Sequence, residues 1–189
     1  MKTVAQQQGV FDIDFVEQFM RAFCGSDFDA VFDRFIGMLV FDALIGSMDR
    51  HARNWGVLAP ETKDSGEALG RVRFSPIYDS ARALLWDLSD AKIKSLSASD
   101  INKYIEKSSP RIGVPHAERR CNHFELLSCL ESKHKDLLVN NVQKLPLSTV
   151  GLASDLLRRW PFRNVFSGSR QRTIMTILNL RFDRIMAIA

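Results

Sequence analysis

Residues 28–45 constrain the fold more than any other stretch. Phe28, Val31, Phe32, Phe35, Ile36, Leu39, Val40, Ala43 and Leu44 recur at three- and four-residue intervals. That spacing predicts a helix from Asp27 or Asp29 to Ile45, buried along most of one side, as a central helix is. Gly46 ends it. The chain that follows leaves the core as a polar loop, Asp49-Arg50-His51-Ala52-Arg53-Asn54.

The next segments bring a second acid back to this loop. Trp55 to Ala59 is a short apolar strand candidate. Pro60 to Gly70 is charged and contains glycine, so it reads as a turn or exposed loop. Arg71 to Ser75 alternates weakly and serves as the return strand. A β-hairpin of this kind carries Asp79 beside Asn54.

The remaining chain is helical in pattern. Phe11, Phe15, Val16, Phe19, Met20 and Phe23 mark a helix over Phe11–Phe23, with Asp12 or Asp14 as its cap and Gly25 at its end. Downstream, helices are expected at Asp90–Leu96, Ser99–Lys107, Asn122–Leu138, Leu147–Trp160 and Ser169–Ile188. Phe124, Leu127, Leu130, Leu137 and Leu138 are core candidates on the third of these. Ile174, Ile177, Leu178, Leu180, Ile185 and Ile188 form the apolar set of the last. The expected architecture is mainly α with a small β-hairpin, α+β overall, in a single domain over residues 1–189 with 1–10 as a flexible lead.

Composition excludes several classes. The three cysteines, Cys24, Cys121 and Cys129, are odd in number and far apart, so they form no disulfide framework or zinc motif. They suit a reducing compartment as small buried hydrophobes. Met1 to Gly9 has no apolar run and is not a signal peptide. The longest membrane-span candidate, Phe35 to Met48, is too short and is interrupted by Asp42. The expectation is a soluble cytoplasmic protein. The formal charge is +4, with arginines at Arg158, Arg159, Arg163, Arg170, Arg172, Arg181 and Arg184. A basic balance attracts nucleic acid or nucleotide phosphate. The plainer reading is a solvated helical surface.

Phosphoryl transfer needs a carboxylate to orient or deprotonate the attacking hydroxyl, and Mg²⁺ between phosphate oxygens. Mg²⁺ takes hard oxygen donors and keeps several waters. Asp49 suits the base, and Asn54 and Asp79 suit the metal ligands, one on each side of the hairpin. The five-residue step from acid to Asn equals that of the protein-kinase catalytic loop. His51 either orients Asp49 or braces the loop backbone. Arg50 and Arg53 either lock the loop or meet substrate phosphates. Taken alone, Asp-x-His-x-x-Asn is a weak signal, and without other context Asp49 reads first as an ordinary helix-terminal or turn acid. Phe74 and Tyr78 read as core.

The longer strings are more specific. Leu44-Ile45-Gly46-Ser47-Met48-Asp49-Arg50-His51-Ala52-Arg53-Asn54-Trp55-Gly56-Val57-Leu58 and Phe74-Ser75-Pro76-Ile77-Tyr78-Asp79-Ser80 resemble the C-terminal lobe of the HipA family, serine/threonine kinases of bacterial toxin–antitoxin modules and their relatives. Ala81 to Trp86 and Asn122 to Leu126 add to the likeness, which spans residues 11–189. Asp-Arg-His-x-x-Asn is also similar to the phosphoinositide-kinase loop, and Ser-Pro-Ile-Tyr-Asp favours the HipA side. The resemblance implies a kinase-like lobe that uses ATP and Mg²⁺, with Asp49 as catalytic base and Asn54 and Asp79 as metal and nucleotide ligands. It implies a protein substrate, no membrane, and DNA contact only through a partner.

One departure shapes the expectation. A kinase of this family has an N-terminal lobe before this point. Here about ten residues precede the first helix, Lys2 is the sole lysine before Lys63, and Gly9, Gly25 and Gly37 are isolated. The only Gly-Ser-rich text, Ser167-Gly168-Ser169, comes late. The expected function is therefore a catalytic lobe that is weak or inactive alone and needs an N-lobe polypeptide or an antitoxin as partner. The alternative is a non-catalytic kinase lobe that acts as a protein- or DNA-binding regulatory module. Either reading expects an uncovered apolar face near Trp55, Val57 and Trp86.

Overall fold

The computed structural model describes residues 11–62, 68–145, 148–159 and 161–189. The lead over residues 1–10, the middle of the 60–70 loop and the end residues Leu147 and Trp160 of one expected helix lie outside the described residues. The elements are β1 (Phe11–Asp12), α1 (Ile13–Cys24), α2 (Phe28–Ile45), β2 (Val57–Leu58), β3 (Glu61–Thr62), β4 (Ala68–Leu69), β5 (Arg73–Phe74), α3 (Asp90–Lys94), α4 (Ala98–Lys107), β6 (Ile112–Gly113), α5 (His123–Gln143), α6 (Ser148–Arg158), α7 (Phe162–Val165) and α8 (Gly168–Met186).

Helix α2 is the centre, with α1, α5 and α8 packed around it. Eleven of its residues are buried, among them Phe32, Phe35, Ile36 and Met38. Only Asp29, Ala30 and Arg34 of this helix are exposed, and so broad an apolar surface is why one helix organises the whole body. Helix α1 starts where the Asp12 carboxylate accepts the Phe15 N–H (2.8 Å), settling the choice between Asp12 and Asp14. Helix α4 is capped by Ser97, two residues before the expected Ser99 boundary. Asp100 returns the bond to the Ser97 N–H, completing a capping box. Asn122 and Glu125 form the same box at α5.

Among the described residues three small β pairs occur, all two residues long. β2 and β5 are antiparallel, with Val57 opposite Phe74. β3 and β4 continue that hairpin outward, Glu61 opposite Leu69, so the stretch expected as loop carries a ladder at both ends. β1 and β6 are parallel and join Phe11 to Ile112, a long-range pairing without a periodic signal. The hairpin rests on α2 through Trp55, whose ring packs 5.0 Å from Phe35 and 6.3 Å from Phe74.

Several sequence expectations are corrected here. The burial divides the apolar residues of α1: Ile13, Val16, Met20 and Cys24 face the core, while Phe15, Phe19 and Phe23, with Phe11 on β1 just before them, are each about half exposed. Spacing of four marks a shared face without saying which face is inside. Trp55 is not uncovered, being half-buried, although Trp86 is 47% exposed. Tyr78 is not core: it is 46% exposed, and its hydroxyl donates to the Arg53 carbonyl (2.9 Å). The solvated-surface reading holds for Arg158, Arg159, Arg163 and Arg172 but fails for two others. Arg170 donates to Asp90 (2.8 Å) and to the carbonyls of Leu85 and Leu88. Arg181 is fully buried.

Arg181 closes the C-terminal end of α2. It donates to the Ala43 carbonyl and to Ser108 Oγ (2.8 Å), meeting an orphan carbonyl where the helix dipole is negative. Burial pulls its guanidinium down to about 10. Gly46 sits in the left-handed region (φ 65°), and a Cβ there would stand 3.2 Å from Arg181 Cζ. Gly46→Ala is expected to cost about 2 kcal/mol, the left-handed penalty plus displacement of a boxed-in cation, read as a lower urea midpoint with an unchanged m-value.

Candidate active site

The polar loop is wrapped on itself. The His51 N–H donates to the Asp49 carbonyl (2.8 Å) and the Asn54 N–H to the His51 carbonyl (2.9 Å). Asn54 Nδ2 also donates to the Asp49 carbonyl (2.8 Å). That bond orients the amide and leaves Oδ1 as its other end. Among the described residues no group donates to Oδ1.

Arg50 ties this loop to its surroundings. It is 1% exposed, and all five N–H donors find acceptors. Nε and Nη2 grip the two oxygens of Asp42 at 2.8 Å each. Nη1 donates to the carbonyls of Asn54 (2.9 Å) and Tyr78. Nη2 also reaches Ser80 Oγ (2.8 Å). One guanidinium therefore joins the core helix, the loop carrying Asn54 and both neighbours of Asp79. Arginine suits this task because its fork is planar and serves several acceptors at once. Burial pushes the Asp42 carboxyl above its ordinary value, while the bonds and charge of Arg50 act against the rise.

The post-hairpin segment is fastened to α2 as well. Met48 N–H donates to the Arg82 carbonyl (3.0 Å) and Leu84 N–H to the Ile45 carbonyl (3.2 Å). Asp79 takes a left-handed backbone (φ 52°), which aspartate tolerates better than bulky residues. Leu84 and Leu85 are also left-handed (φ 50° and 68°), a costlier choice for branched side chains. Arg170 and Tyr104 compensate by bonding both polar groups of the Leu85 backbone.

The expected site residues therefore stand as follows. Asn54 is buried, Asp49 and His51 are half-buried, and Asp79 is exposed. The backbones carrying Asn54 and Asp79 meet on Arg50. Asp49 Oδ2 lies 3.5 Å from Arg82 Nε, and its Oδ1 lies 3.7 Å from Arg111 Nη2. His51 Nδ1 accepts from the Arg53 N–H (3.3 Å), the loop-bracing option. Of the two readings of Arg50, the lock is what the geometry carries. Among the described residues no three His, Cys, Asp or Glu side chains gather as a metal cluster. Asn54 Oδ1 and the Asp79 carboxylate are a smaller hard-oxygen set, which fits Mg²⁺ bound largely through phosphates and water.

Sequence reasoning missed Asp42 and the two arginines beside Asp49. Asp42 left a signal: an acid inside an apolar helix needs a buried cation. Arg82 and Arg111 left none, because their pairing depends on how distant segments cross.

A family description, HipA-like C-terminal domain, matches residues 3–139. The chain belongs to this family. Among solved structures, the Helicobacter pylori proinflammatory kinase CtkA shares the fold, with a TM-score of 0.76 at 18% sequence identity. The match covers 95% of this chain and 62% of that one, so the chain spans less than two thirds of the kinase's length. No curated protein sequence matches the chain. The kinase-like lobe with a small hairpin, expected from the sequence, is the fold observed. Among the described residues no helix is long and apolar enough to cross a membrane.

Proposed function

We propose that this chain is the catalytic lobe of a serine/threonine protein kinase, transferring the ATP γ-phosphate to a protein hydroxyl in the cytoplasm. The observation that carries this reading is the Arg50 hub, which holds the Asn54 loop and the Asp79 segment against one another and against the core. Asn54 Oδ1 and Asp79 would hold Mg²⁺, which would neutralise charge on the transferring phosphates. Asp49 would accept the hydroxyl proton. The Arg82 contact at 3.5 Å is long enough to yield to a substrate hydroxyl, and Arg82 is half exposed. The opposite wall of the nucleotide cleft would come from a further lobe, in the same polypeptide or from a partner such as an antitoxin-module protein. Contact with DNA would then be indirect.

The test is calorimetric titration of the folded chain with ATP, with and without Mg²⁺, beside Asp79→Ala. Saturable binding that needs both Mg²⁺ and Asp79 is the expected result. Binding indifferent to Asp79 would defeat the metal-ligand assignment. The same outcome would favour a non-catalytic module.

A further inference from the structure

A second polar pocket lies along the loop, and its chemistry is one-sided. A cavity of about 250 Å³ is lined by His51, Arg53, Trp55 and Arg111, with Phe11 and Ile112 as apolar walls. Among the described residues no carboxylate lines it. Two of its residues carry buried N–H groups, Trp55 Nε1 and Arg111 Nε, that have no hydrogen-bond partner among the described residues. Buried donors without acceptors are rare in folded proteins and call for an explanation. His51 adds another donor: its Nδ1 accepts from the Arg53 N–H, which leaves the proton of the neutral ring on Nε2. Arg53 is exposed at the rim. Arg50 also borders the cavity, but its donors are spent on Asp42, Ser80 and backbone carbonyls.

We infer that this pocket binds a phosphate monoester carried on a serine or threonine side chain of a protein. Two guanidinium groups, an imidazole and an indole around one cavity, with no acid in its lining and only the 3.7 Å contact of Asp49 on one of the guanidinium groups, describe an oxyanion site. The volume decides against a nucleotide: small-molecule pockets run to roughly 300–1,000 Å³, and this cavity is below that range. The walls decide against a bare hydrated ion. Phe11, Ile112 and the Trp55 ring offer contact to the carbon atoms that carry a phosphate. The site is distinct from the proposed metal ligands and does not depend on them. Arg111 links the two, since its Nη2 is 3.7 Å from Asp49 while its Nε is unpartnered. An anion held there would compete with Asp49 for the same guanidinium.

The experiment is calorimetry on the full chain with a phosphoserine heptapeptide, its unphosphorylated parent and inorganic phosphate. Each ligand is titrated into the parent protein, Arg53→Gln, Trp55→Phe and Asp79→Asn, with circular dichroism confirming that each variant is folded. The phosphopeptide is expected to bind at least about tenfold more tightly than its parent, as one charge-assisted contact allows. Arg53→Gln and Trp55→Phe should each weaken it about five- to tenfold, and Asp79→Asn should leave it unchanged. Equal binding of both peptides, or indifference to Arg53→Gln and Trp55→Phe, would overturn the site. Binding of inorganic phosphate without the phosphopeptide would overturn the monoester assignment. Loss in Asp79→Asn would place the anion at the metal ligands and overturn it too. Failure of the Mg²⁺–ATP titration leaves every one of these readouts intact.

Discussion

Arg50→Met is expected to destabilise this protein by about 3–5 kcal/mol, the cost of stranding one member of a buried ion pair. Arg50 and Asp42 are each 1% exposed, so solvent screens neither. The variant also leaves the carbonyls of Asn54 and Tyr78 and the Ser80 hydroxyl without their donor. Burial already pushes the Asp42 carboxyl up, and Arg50 is what opposes that push. Without Arg50 the folded state therefore favours the protonated acid. A carboxyl raised in the folded state stabilises below its unfolded value and loses that contribution as pH climbs. The deficit should accordingly be smallest near pH 4, about the unfolded carboxylate value, and grow toward neutrality. Chemical unfolding at pH 4 and pH 7 reads both. A loss under about 1 kcal/mol, in the range of ordinary surface substitutions, would mean the hub is not a stability element. Arg50→Lys should recover little, because one ammonium cannot span five acceptors.

Asp49→Asn is expected to lower phosphoryl transfer by about 10²–10⁴-fold, the usual contribution of a positioned general base. Mg²⁺–ATP affinity should stay within about twofold, since Asn54 and Asp79 remain. The introduced amide keeps the size of the side chain and cannot take up the hydroxyl proton. The measurement is single-turnover transfer of labelled γ-phosphate in whichever assembly proves active, alongside nucleotide titration. Equal rates for the parent and the Asp49→Asn variant would remove Asp49 from the proton path. A parallel loss of nucleotide binding would instead assign it a structural role through Arg82 and Arg111.

The fold was legible where periodicity is strong. Helix α2, with a dense apolar set along most of one side, read as central, and its boundary at Gly46 was read from a residue that tolerates left-handed backbone. The hairpin was legible from two short apolar runs around a charged, glycine-containing stretch. Helix α1 shows the limit. Four phenylalanines at four-residue spacing announce a face, yet the core took the Ile13–Val16–Met20–Cys24 side. Which face turns inward depends on the partner helix, and that information lies outside any local window. The β1–β6 pairing was invisible for the same reason, since two residues carry no period.

The polar residues divide in the same way. The sequence by itself determined that a central helix delivers Asp49, His51 and Asn54 in one loop, and that a hairpin returns Asp79 toward it. Spacing along a chain is enough for that, because helix and hairpin geometry are local. Only the tertiary structure decided what each charge does. It made Arg50 a five-bond tether to Asp42, sent Arg181 into the core as the closure of α2, and placed Arg82 and Arg111 beside Asp49. It also brought to the lining of one cavity Trp55 and Arg111, each with a buried donor that has no partner among the described residues. Electrostatic roles depend on distance and burial between segments far apart in the chain, and folding supplies both.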